Sequence, residues 1–297
     1  MTPGTSSIPL GIERHLRRAL KDAWTGHRRS FKRCRVRFSE ESVHDLRVDT
    51  RRLLALLELF GTLLGDEDIA AARCRLKRIL RRFAPLRDVQ VQLLYFEKRC
   101  RQSSCARALR QSLRDQEKQI TKKLRKRMRS ARIAKLKPAM EHVRAALRHS
   151  VSTGLGRSRN VAALLKGLAR SYEIVLNRLG KTREGKVESI HELRVAFKKY
   201  RYMVEQLQEF LPGVSRPKLK RMQALQTQMG EIQDAAVLLD TLKQFCSEQS
   251  RWRGMARPLI RELEARCARL ARTFLKRADQ LQKFGPFPDA STPRIPA

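Results

Sequence analysis

Val43-His44-Asp45-Leu46-Arg47-Val48-Asp49-Thr50-Arg51-Arg52-Leu53-Leu54 is written a second time in the chain, as Ile190-His191-Glu192-Leu193-Arg194-Val195-Ala196-Phe197-Lys198-Lys199-Tyr200-Arg201. In register, apolar side chains fall on apolar ones, His44 on His191, Arg47 on Arg194, and Arg51-Arg52 on Lys198-Lys199. Solenoid repeats recur every ~20–50 residues. The spacing here is far longer, so the repeat points to two related halves.

Each residue of an α-helix turns about 100°, so positions i, i+3, i+4, i+7 and i+8 share a face. With His44 at zero, Arg47, Val48, Arg51 and Arg52 lie within roughly 80° of it. Val43, Leu46, Leu53, Leu57 and Phe60 gather opposite and form the expected core stripe. Asp49 sits at the flank, at i,i+3 spacing from Arg52. The second copy puts His191, Arg194, Val195, Lys198 and Lys199 on one face, with Leu193, Phe197, Tyr200 and Val204 opposite. A single basic helix face in a basic protein is ordinarily solvated surface. One histidine and three cations returning in phase make a candidate anion site of His44, Arg47, Arg51, Arg52, His191, Arg194, Lys198 and Lys199.

The whole chain asks for such a partner. Its 297 residues carry 66 Lys+Arg against 29 Asp+Glu, a net +37. That excess repels itself in a compact state unless a polyanion relieves it. The partner is therefore nucleic acid, polyphosphate or an anionic membrane surface. No Gly-rich phosphate loop and no HExxH are present, and no nucleophile or metal set accompanies the histidines. The six cysteines form no CxxC and read as reduced thiols. No catalysis, metal or cofactor is expected. No apolar run approaches the ~20 residues of a membrane span, and no signal-peptide pattern opens the chain, so a cytoplasmic protein is expected.

Along the chain, residues 1–9 read as a disordered leader, and helical spacing begins with Ile12, Leu16 and Leu20 beside Arg14, Arg17, Arg18 and Lys21. Ser39 or Ser42 can cap the His44 helix, which Gly61 or Gly65 ends. A third helix runs from Ile69 to Phe83 and stops at Pro85. Asp88 suits the cap or first turn of the next helix. Between Pro85 and Pro138 there is neither Gly nor Pro, so this stretch is long helix, broken near Ser103-Ser104. Lys122 to Arg129 is too evenly charged to bury a face. Ser150 to Gly156 reads as the joint between halves. Residues 157–179 echo the first helix, and Ser189 opens the His191 helix as Ser42 opens the first. Helices over 216–229, 233–250 and 255–283 follow, then a Pro-rich disordered tail at 285–297. No two-residue alternation of strand type occurs, so the fold is all-helical. The ordered body, 10–284, divides into halves of about 10–150 and 155–284.

The duplicated motif resembles that of the CHAD family, the conserved histidine α-helical domain, which runs His-x-x-Arg-Val-x-x-[Arg/Lys]-[Arg/Lys] at a helix start in each half. A second likeness supports it. Leu76 to Val89 aligns with Met222 to Ala235, where the family carries Leu-Gly-x-x-[Arg/Asn]-Asp. Met229-Gly230 and Asp234 match this pattern. Ala84-Pro85 departs from it in the first copy, and Gln233 in the second. The resemblance implies two pseudo-symmetric four-helix bundles with a basic central groove or pore. It also implies binding of inorganic polyphosphate without catalysis, on or organising polyphosphate granules. Arg14 and Arg18 on the first helix and Lys77 and Arg81 on the third would extend the binding surface. Binding should tighten as pH falls through the histidine range. The rival is a basic helical protein that binds nucleic acid, unspecifically, by counterion release. Aromatics at 6% and the absence of a stacking or groove-reading module favour a phosphate chain without bases.

Overall fold

The computed structural model describes residues 12–64, 67–101, 103–129, 133–149, 154–183, 186–211 and 213–285. The expected leader at 1–9, the tail beyond 285 and residues 150–153 of the expected joint at 150–156 lie outside them, while 154–156 form the first turn of a helix rather than a linker. Among the described residues the chain is all-helical, with no strand. Ten α-helices follow one another: α1 (Ile12–Val36), α2 (Glu40–Leu64), α3 (Glu67–Arg82), α4 (Ala84–Glu97), α5 (Ser104–Arg129), α6 (Lys137–His149), α7 (Gly154–Gly180), α8 (Val187–Leu207), α9 (Arg216–Glu248) and α10 (Arg253–Leu275). No helix among the described residues is long and apolar enough to cross a membrane.

The two motif copies lie on α2 and α8, which pack against each other. Helix α2 is the hub, touching α1, α3, α4, α6, α7 and α8. Its composition explains this: from Ala55 to Phe60 every residue is buried, so the helix is enclosed on all sides there. Its N-terminal half carries the cations and keeps one open face. The expected stripe Val43, Leu46, Leu53, Leu57 and Phe60 is fully buried, as are Leu193, Phe197 and Tyr200 on α8. The largest apolar cluster joins α1, α2, α3 and α6 to α7, α8 and parts of α9 and α10. A second unites α4 and α5 with the far ends of α9 and α10, and a third seats the end of α1 against α2, α4 and α5.

Several local expectations are corrected. Ser39, not Ser42, caps α2, accepting from the Ser42 amide at 3.3 Å, while the Ser42 hydroxyl turns back to donate to the Ser39 carbonyl at 3.0 Å. Pro85 does not leave a loop. It sits in the first turn of α4, where a missing N–H is no loss. Asp88 is consequently a turn inside α4 rather than at its cap. Helix α9 runs unbroken through Gly230, where a break was expected, because Met222, Leu225, Met229, Ile232, Ala235 and Leu238 bury a continuous stripe across it. The last helix ends instead at Leu275, and a tighter 3₁₀ segment, Ala278–Phe284, follows. Tyr172 and Tyr200 hold that segment by donating to its carbonyls, Tyr200 to Phe284 at 2.5 Å. The run Lys122 to Arg129 does bury a face: Leu124 and Met128, one turn apart, enter the core beneath Phe31 and Phe38.

Candidate functional site

Where α2 meets α8, the open faces of the two motifs are turned toward each other. Arg47 and Arg51 come from α2, Arg194 and Lys198 from α8, and Arg87 joins them from α4. Each lies within the electrostatic reach of several others. Arg47 is held by a hydrogen bond from its Nη1 to the Leu80 carbonyl at 2.7 Å. Its pKa falls to about 10, first through burial and then through Arg51, with Arg87 and Arg194 adding to the effect and Asp88 opposing it. Arg51 is lowered for the same leading reason, with Arg194 and Arg87 contributing. Lys198 shows the strongest effect. Burial, then Arg51, Arg194, Arg47 and Arg201, bring its ammonium down to about 6.

The opposing charge is sparse. Asp88 from α4 and Asp234 from α9 face the cluster, and burial raises both carboxyls although the arginines pull them down. Arg87 also pairs with Glu40. Arg194 lies along α9 at Gly230, where an added Cβ would stand 3.5 Å from its Nε and Nη2. Its buried Nε has no hydrogen-bond partner among the described residues. Arg201, 6% exposed, backs the cluster and is fully engaged: it donates to Gln226 Oε1 at 2.7 Å, pairs with Glu205 and stacks over Tyr202 at 4.6 Å. Guanidinium forks fixed in this way match the geometry of phosphate oxygens, and a lysine among them adds a point charge. A multivalent anion entering here would offset mutual repulsion that the fold otherwise bears.

The other residues expected from sequence are spread more widely. His44 is exposed at the rim. Partial burial lowers its pKa first, Arg87 adds to this, Glu40 and Asp45 oppose it, and Arg51 contributes least. His191 is exposed on the matching face of α8, and Arg81 is exposed near the end of α3. Lys77 and Lys199 turn to a different task. With Arg73 they surround Glu58, which is 6% exposed, at 3.7, 3.0 and 3.5 Å respectively. Arg52 stands 3.6 Å from Asp49, the expected i,i+3 pair. It also faces a cleft of ≈ 670 Å³ shared with Arg14, Arg18, Glu205 and Glu209. There His15 links Glu209, at 2.8 Å, to the Gln206 carbonyl, at 2.9 Å.

Sequence reading thus finds Arg47, Arg51, Arg194 and Lys198 and misses Arg87, Asp88, Asp234 and Arg201. A signal for two of these was present: Asp88 and Asp234 occupy equivalent positions in the second repeated stretch, where Leu76 to Val89 aligns with Met222 to Ala235.

Three comparisons bear on the chain. A family model described as the CHAD domain matches residues 14–243, a span that includes both motif helices. The fold is similar to the crystal structure of the CHAD domain from the plant Ricinus communis, with a TM-score of 0.56 and 17% identity over 96% of this chain and 93% of that one. It is also similar to PptA from Streptomyces chartreusis, with a TM-score of 0.58 and 16% identity over 90% of this chain and 99% of that one. No curated protein matches the sequence.

Proposed function

Because the chain belongs to the CHAD domain family, we propose that it binds inorganic polyphosphate, seated on Arg47, Arg51, Arg87, Arg194 and Lys198. One observation carries this reading: those cations converge from three helices on one half-buried place, with Asp88 and Asp234 as the facing carboxylates. A linear phosphate chain supplies closely repeated charge without bases, which fits a site built from guanidinium and ammonium groups. Tyr202 is buried against Arg201 and offers no face to a base. The protein acts as a binder, not a catalyst, and this affinity would place it on polyphosphate granules.

The test is a competition between long-chain polyphosphate and double-stranded DNA at equal phosphate in ~150 mM salt, where screened surface contacts fade. Wild type is compared with Arg47→Ala/Arg51→Ala/Arg194→Ala/Lys198→Ala, with helical content followed by circular dichroism. Polyphosphate should displace DNA, and the variant should lose polyphosphate affinity roughly 1000-fold while staying helical. Equal binding of DNA, or a helical variant that binds as before, would return the charge to an unspecific role.

A further inference from the structure

Beside the motif cluster the surface carries a second concentration of positive charge. Helix α1 sets Arg14, Arg17, Arg18 and Lys21 at i, i+3, i+4 and i+7, all on one face, next to the core residues Leu16 and Leu20. Helix α6 buries Met140, Val143 and Leu147 and turns Arg144 and Arg148, one turn apart, toward the same place. The six cations line a groove of ≈ 490 Å³ with Asp22 as the lone acid among its lining residues. Like charges at these spacings destabilise a helix. Several other surface cations do have carboxylate partners: Arg33 with Asp45, Arg99 with Glu262, Arg110 and Arg114 with Glu97, Arg178 with Glu192. No ion pair among the described residues engages the six in the groove.

The groove leads inward. Arg14, Arg18 and Asp22 line both it and the larger cleft, whose far wall holds Arg52 and Glu205. Arg52 is the chain neighbour of Arg51 on α2, and Glu205 pairs with Arg201, which lies less than one turn beyond Lys198 on α8, so this wall of the cleft adjoins the motif cluster. Carboxylates along this path are mostly occupied: Asp49 by Arg52, Glu205 by Arg201, Glu209 by His15. We infer that the α1–α6 groove is a second anion subsite, continuous with the motif cluster, over which a long phosphate chain extends after its end or middle has been seated on the cluster. This rests on the polyphosphate reading and adds to it a selection by length: a short oligophosphate fills the cluster alone, and a long chain engages both.

The experiment uses the full chain and two probes, tripolyphosphate and long-chain polyphosphate. Arg17→Ala/Arg144→Ala/Arg148→Ala is compared with wild type and with Arg257→Ala/Arg261→Ala/Arg269→Ala, which removes the same charge from the exposed face of α10. The groove variant should lose about tenfold in long-chain affinity, and its slope of log affinity on log salt should fall by roughly 2. Its tripolyphosphate affinity, and both affinities of the α10 variant, should stay within about twofold of wild type. Equal loss in the groove and α10 variants overturns the subsite, as does equal loss for both probes. Loss of DNA affinity with polyphosphate affinity kept would also overturn it and assign the groove to nucleic acid. If wild type binds neither phosphate probe, the polyphosphate reading itself fails, a result distinct from all of these.

Discussion

Helices α2 and α8 carry nearly the same side chains at the same spacings, yet adjacent positions in the motif have different fates. Arg51 and Lys198, which align with each other, both enter the central cluster. Their neighbours Arg52 and Lys199, which also align, turn away from it: Arg52 to Asp49 and Lys199 to the buried Glu58. A step of one residue is about 100° around a helix. In the crossing of α2 with α8, that step separates a cation left to a ligand from one committed to a protein carboxylate. The repeat specifies which way a charge faces. The acids of neighbouring helices decide whether it is free.

The largest expected effect breaks this comparison open. Arg51→Ala/Lys198→Ala and Arg52→Ala/Lys199→Ala remove equal charge from equivalent positions, and tripolyphosphate reads the cluster without the outer groove. The first pair should lower tripolyphosphate affinity roughly 100-fold, at about 1.5 kcal/mol for each charge-assisted contact. The second should change it less than about threefold and instead lower stability by ~1 kcal/mol in urea unfolding, since Glu58 loses one of its three cations and Lys199 is itself partly exposed. Equal losses of affinity from the two pairs would mean that the whole basic face, not its inner row, holds the anion.

Much of this was legible in the sequence. The core stripes of α2 and α8 follow from apolar spacing alone, and the paired cationic faces follow from the repeat. Arg87 was not legible, because nothing local says that the second turn of α4 will lie over α2. The commitment of Lys77 and Lys199 was half legible. Glu58 is a lone acid inside the apolar run Leu53 to Phe60, and a buried carboxylate there requires cations from somewhere. Their identity depends on how α3 and α8 cross α2, which spacing does not encode. Ser39 and Ser42 were equivalent as caps by residue type, and only the backbone path from Arg37 separates them.

A second difference between the helices concerns protons. The sequence places pH sensitivity on His44 and His191; the structure adds Lys198, whose ammonium is brought down by burial and by the surrounding arginines. Facing Lys198 are Arg47 and Arg51 from α2, Arg194 and Arg201 from α8, and Asp234 from α9. Its pKa of about 6 in the free protein lies far below the ordinary lysine value of 10.5. Between these two values the unfolded chain holds a proton that the folded chain does not, so this group makes the free protein more stable as pH rises through that window. A bound polyanion raises the pKa again. Binding at pH ~7.5 should therefore take up about one proton per site, read from binding enthalpies in buffers of differing ionisation enthalpy. Affinity should weaken as pH rises from about 6 toward the lysine range, and uptake should vanish in Lys198→Met. Uptake that persists in Lys198→Met and disappears in His44→Ala would return the titration to the imidazole.

The smallest effect sharpens the contrast between the broken α3–α4 pair and the continuous α9. The first copy interrupts its helix at Phe83 and brings Arg87 into the cluster from α4; the second runs through Gly230 and lays Arg194 along the helix surface. If the glycine serves only to admit that guanidinium, its methyl counterpart should be tolerated, because a Cβ 3.5 Å from Nε and Nη2 is in ordinary contact. Gly230→Ala should then stabilise α9 by about 0.5–1 kcal/mol, the usual gain at a helix interior, with tripolyphosphate affinity within about twofold of wild type. Gly230→Leu has no such room, and by displacing Arg194 should weaken binding about tenfold, comparable with loss of one charge-assisted contact. An alanine that costs affinity without costing stability would show that Arg194 moves closer to α9 when the anion is bound, and that the open backbone at Gly230 is kept for the bound arrangement rather than the free one.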